Sequence, residues 1–200
     1  MYLLPTYFLF LFILNSPQIR FSDNWKNITS ADGQFSIEFP GAPKISYDTL
    51  EAREGKMFQC TMNYLAEKNS DLNGMYSLSY SEFPEYYYLN SHANDSTLDV
   101  HFDQAIATIL GSLGDAKLIY VDTINISGTG IPYADDSTKF KYQSFPGRIF
   151  KIDIGYGRVI TAVTYLVYKR QYSLMTGCRM ENDDNENMKR FFNSFRLLHP

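Results

Sequence analysis

The sequence predicts an α+β fold: a largely antiparallel, curved β-sheet with a central helix and a C-terminal helix packed on it. Three observations predict it. Aromatic residues make up 16% of the chain, with 16 Tyr and 15 Phe, and broad rings pack well on a pleated face. Hydrophobicity alternates with period two on both sides of the chain's middle, whereas helical spacing is confined to one central and one terminal segment. No internal repeat, low-complexity run or long linker divides the chain, so residues 23–200 read as a single domain.

Residues 1–22 stand apart. "MYLLPTYFLFLFILNSPQIRFS" carries one charged side chain, Arg20. Its apolar stretch Tyr7–Leu14 is short of the roughly 20 residues that cross a bilayer. It reads as a signal-peptide core or an uncleaved N-terminal hydrophobic anchor. The missing Lys or Arg near the start, and Pro17 after the small residue at the cut, leave a misassigned start codon or a buried segment as a third alternative. The expectation is an exported protein (periplasmic, extracellular or envelope-associated) whose membrane contact is through this segment alone.

From Trp25 the elements follow in order. Asp32-Gly33 is a turn signal. In "QFSIEF", Phe35, Ile37 and Phe39 share one face and Ser36 and Glu38 the other, a half-buried strand. "PGAP" then turns the chain into a hairpin around Glu54-Gly55, with Ile45, Tyr47 and Thr49 on one arm and Phe58, Cys60, Met62 and Tyr64 on the other. "GMYSLSYSEF" sets Met75, Ser77 and Ser79 against Tyr76, Leu78 and Tyr80, a strand with one wet face. In "STLDVHFDQAIATILGSLG", Leu98, Phe102, Ala105, Ile106, Ile109 and Leu113 form one helical stripe, with Ser96 as N-cap and Gly114 as the stop. Strands resume at Ala116. Gly128 and Gly130, Pro146-Gly147, and Gly155-Tyr156-Gly157 all read as turns. The acidic "NDDNE" suits the start of a closing helix, whose apolar face is Met188, Phe191, Phe192 and Phe195.

The two ends carry a resemblance. A Trp, a turn and then "DGQFSIEFPGAPK", with the ending "NENMKRFFNSFRLL", resemble bacterial domains of the Mog1/PsbP-like type. The strand meander, the central helix and the "RQYSLMTGC" run keep the same order. The pattern covers about residues 25–198, its specific motifs only the two ends. The resemblance implies the fold and an interaction role rather than an enzyme mechanism. No residue here matches the family's binding positions, so none is carried over.

Function classes narrow by exclusion. Net charge is −4 without a long basic run, which disfavours nucleic acid, because phosphate binding needs clustered Lys and Arg. The glycines fit neither GxxxxGK[ST] nor GxGxxG, and no Ser lies in GxSxG, so no cofactor is implied. Cys60 and Cys178 lack metal-ligand spacing. They are one disulfide, contributing up to about 4–5 kcal/mol by loop closure, or two buried free thiols. His101, between Asp99 and Asp103, is expected on a solvated helix face. In "EFPEYYYLNSHANDS", Tyr86, Tyr87 and Tyr88 cannot all face one core. With His92 they are the candidate partner-binding residues, since Tyr suits recognition surfaces. The expected role is non-enzymatic binding of another envelope protein or a small apolar ligand. A structural accessory subunit and an unrecognised hydrolase are the alternatives.

Overall fold

The computed structural model describes residues 24–52, 55–67, 71–83, 95–129 and 142–198. Among these residues ten strands and two α-helices follow in the order β1 (Lys26–Ser30), β2 (Phe35–Phe39), β3 (Lys44–Ala52), β4 (Gly55–Leu65), β5 (Asn73–Glu82), α1 (Asp95–Ser112), β6 (Lys117–Thr129), β7 (Tyr142–Asp153), β8 (Arg158–Val167), β9 (Arg170–Arg179), α2 (Glu186–Ser194) and β10 (Arg196–Leu197), with a 3-10 turn at Met180–Asn182. A seven-stranded sheet has the order β3-β4-β5-β9-β8-β7-β6, and a small sheet the order β1-β2-β10. Both are antiparallel throughout. Among the described residues no helix is long and apolar enough to cross a membrane.

The alternation in "FSIEF" does what its period requires. Phe35, Ile37 and Phe39 are fully buried. They meet Tyr76, Leu78 and Tyr80 of β5, Tyr172 and Leu174 of β9, and Phe191 and Phe195 at α2. The Phe35 ring lies 5.9 Å from Tyr80, 6.1 Å from Tyr172 and 5.9 Å from Phe195. Each such buried side chain stabilises the fold by about 1.5–3 kcal/mol. On the other face of the large sheet, α1 sets Ile106, Ile109, Leu110 and Leu113 against Phe150, Ile152, Ile160 and Ala162. The helical stripe read from the sequence is therefore the packing face, and Gly114 ends the helix at φ +71°.

Three readings are corrected, and one open alternative is decided. Pro146-Gly147 is no turn, since both lie inside β7 opposite Asn125 and Ile124 of β6. β8 pairs with β7 only from Gly147 onward, so Pro146 has a strand neighbour on one side alone, the place where a residue without an N–H is tolerated. Gly128 likewise lies within β6 rather than in a turn, while Gly130 is outside the described residues. The helix starts at Asp95, which puts Ser96 in its first turn rather than at the cap. Of the two alternatives for the cysteines, the second holds: Cys60 and Cys178 are both free and buried. Cys60 faces Tyr80, Tyr80 faces Tyr172, and Cys178 is six residues further along β9. Strand spacings put that at roughly 20 Å, beyond the reach of about 7 Å for a disulfide.

Candidate ligand cleft

The face of the large sheet that carries α1 changes character across its width. Under the C-terminal half of α1 it is apolar. Towards β4, β5 and β9 the same face presents Gln59, Ser79, Ser81, Gln171 and Ser173. The helix cannot close on this polar row as it does on Phe150 and Ile160. A cleft of about 380 Å³ is left between them, with Gln104 and Thr108 on the helix side and Met57, Phe83, Ile109 and Met175 as its apolar walls. Among the described residues that line it, none is Asp, Glu, Lys or Arg.

His101 is the hinge of this arrangement, and it corrects the sequence reading. It is not on a solvated face but only 6% exposed. Three residues after Leu98 and four before Ala105, it belongs to the packing stripe of α1. Its Nε2 lies 2.8 Å from Gln171 Oε1. Because a carbonyl oxygen can only accept, Nε2 carries the proton. Gln171 Nε2 donates to Ser173 Oγ at 3.3 Å, and Ser173 Oγ shares a hydrogen bond of 2.9 Å with Thr164 Oγ1. The edge-on rings of Phe83 and Phe102, 5.5 and 5.8 Å away, hold the imidazole between them. Arg148 of β7 fixes the same helix by ion-pairing Asp99 and lying 4.8 Å over the Phe102 ring.

A second cleft, of about 420 Å³, opens at the other end of the sheet between Asp71, Arg158, Arg179 and Cys178. Burial, then the nearby charge of Asp183, pushes the Cys178 thiol up to about 11. Burial also raises Cys60, against a smaller opposing hydrogen bond with Tyr80. Neither is a thiolate at neutral pH, and the thiolate is the reactive form. Among the described residues no group of three or more His, Cys, Asp or Glu could hold a metal ion.

The candidates Tyr86, Tyr87, Tyr88 and His92 lie outside the described residues. The cleft residues were not singled out from the sequence. Their signal is the alternating Ser in "YSLSYSE", which reads as an ordinary wet face, and the Gln-x-Ser of "RQYSL". Ser77 and Ser173 are in fact only 4% and 7% exposed.

No protein-family model matches the sequence, and no curated protein matches it by sequence. Among solved structures, cyanobacterial PsbP (CyanoP) from Synechocystis sp. PCC 6803 is similar in fold, with a TM-score of 0.51. The match covers 87% of this chain and 92% of that one, at 12% sequence identity. The fold is Mog1/PsbP-like. At that identity the likeness concerns the fold alone, and a Mog1/PsbP-like sheet hosts whatever site its own side chains build.

Proposed function

We propose that the chain is a non-enzymatic binding domain of an exported or envelope-associated protein, taking a small uncharged ligand into the cleft under α1. One observation carries this reading: among the described residues, the cleft is rich in hydrogen-bonding side chains and none that lines it is Asp, Glu, Lys or Arg. Its volume falls in the range of small-molecule sites, about 300–1,000 Å³. Met57, Phe83, Ile109 and Met175 suit an apolar body, and the Ser and Gln side chains suit hydroxyl or amide groups on it. A charged ligand would lose its hydration there without gaining a counter-charge. One feature favours binding over catalysis: both thiols are held protonated.

Native mass spectrometry of the protein from its own cells tests the reading. The expected result is a chain shortened by its hydrophobic leader and carrying a non-covalent adduct that Ser81→Trp, which fills the cleft, removes. An adduct that survives this substitution places the ligand elsewhere. A bare chain, in wild type and variant alike, overturns the binding role.

A further inference from the structure

The large sheet ends at β6, whose outer side has no strand partner among the described residues. The distal half of β6 is nevertheless covered. Ile124 and Ile126 pack against the core, and Leu197 of β10 crowds Gly128, its Cδ1 3.0 Å from where a Cβ would stand. The proximal half is bare: Leu118, Ile119, Tyr120 and Val121 are 40%, 51%, 44% and 48% exposed. Edge strands are ordinarily blunted by charges, proline or a bulge. Here the register does shift between Leu118 and Tyr120, but no proline stands in the strand. The two charges on this half bracket the apolar run and have opposite signs: Lys117 before it and Asp122 after it.

That bracketing makes the edge complementary to itself. Let two copies of "KLIYVD" run antiparallel, edge to edge, with Lys117 opposite Asp122 of the second copy. Leu118 then faces Val121 of the second copy. Ile119 is the extra residue of the bulge, so the two-fold axis runs between the two Tyr120 residues and repeats each pair. A slip by one residue sets Lys117 against Val121 or Thr123 and breaks both charge pairs. We propose that the β6 edge pairs with the β6 edge of a second copy, in this register, to join two seven-stranded sheets across a two-fold axis. Isologous pairing of this kind closes at the dimer, so it does not propagate into fibres. The occupant is a second copy because the same six residues supply both halves of the charge pattern.

Sedimentation velocity over a wide concentration range tests this on the full chain. The wild type is expected to dimerise. Lys117→Asp alone, or Asp122→Lys alone, sets like charges opposite each other at both ends of the register and is expected to weaken association by about tenfold or more. Lys117→Asp combined with Asp122→Lys restores opposite signs in the same register and is expected to restore the dimer. Tyr120→Lys, which sets two lysines against each other on the axis, is expected to leave a monomer with an unchanged circular dichroism spectrum. A wild type that stays monomeric at the highest concentration reached overturns the proposal. So does a dimer indifferent to the single swaps, or one that the double swap fails to recover. Association through another surface, the apolar N-terminal residues included, has no reason to follow this pattern of loss and rescue.

Discussion

Gly147 has no room for a methyl group. A Cβ there would lie 2.6 Å from the backbone oxygen of Thr164 and 2.6 Å from Tyr165 Cδ1. The ring can turn away, but the carbonyl is held in the β7–β8 ladder. Gly147→Ala is therefore expected to destabilise the fold by about 1–3 kcal/mol, the usual cost of overpacking. Gly111, in α1, is the control: nothing lies within 4 Å of its added Cβ. There the methyl group only lowers the entropy of the unfolded chain, and Gly111→Ala is expected to stabilise by up to about 1 kcal/mol. Urea denaturation of the two variants should move in opposite directions, and equal shifts would sink the steric argument. The Pro-Gly pair misleads at sequence level for a related reason. The dipeptide marks turns in general, and nothing local to it shows that the β7–β8 pairing ends at Gly147, one residue short of Pro146.

The N-terminus of α2 is held by amides. Asn185 caps the helix, its Oδ1 accepting from Met188 N at 2.9 Å. It also pairs reciprocally with Asn73 of β5, Nδ2 to Oδ1 at 2.9 Å in each direction. Asn73, fully buried, donates a further hydrogen bond to Tyr76 Oη at 2.8 Å. Asp71 accepts from the Tyr76 hydroxyl at 2.8 Å and from Asn187 Nδ2 at 3.0 Å. Burial first, and then the charge of Asp71, pushes the Tyr76 phenol far above its ordinary range, so it stays a donor. Asn73→Ala is expected to cost about 2–3 kcal/mol and Asn185→Ala about 1–2 kcal/mol. The double variant should cost less than their sum, because the two share both amide bonds. A strictly additive cycle in urea denaturation would mean that the pair is not coupled. The apolar stripe of each helix was legible from its spacing, but these polar partners were not. Asn73 and Asn185 are 112 residues apart, and the His101 partner Gln171 is 70 residues away. Polarity alone therefore sent His101 to the solvent side.

At the scale of the molecule, strand positions and the α+β class follow from period two and composition. The order of the sheet does not: β5 beside β9, and β2 beside β10, are joins between distant segments that no local pattern announces. One polar clasp sits where the two sheets meet. Arg170 donates from Nε and Nη2 to Glu82 Oε2, each at 3.0 Å, and from Nη1 to Gln34 Oε1, in the β1–β2 turn, at 3.0 Å. Lys169 adds an ion pair to Glu82 Oε1 at 2.6 Å, and Tyr172 donates to Gly33 O at 2.7 Å. Burial by itself would raise the Glu82 carboxyl, but the hydrogen bonds and charges of Lys169 and Arg170 outweigh it and hold the group below its ordinary 4.5. A carboxylate depressed in the folded state stabilises fully above its unfolded value. That contribution fades as pH falls from about 4.5 through the folded value, and below both it is gone. Because Glu82 is 28% exposed at its side chain, water screens part of the pairing, and about 1 kcal/mol is the expected size. Wild type should then exceed Glu82→Gln in urea stability at pH 7, and the gap should narrow steadily towards pH 3. Other acids titrate alike in both proteins and cancel in the difference. A gap that is constant with pH would show that the clasp is held by geometry, with the ionised carboxylate adding nothing.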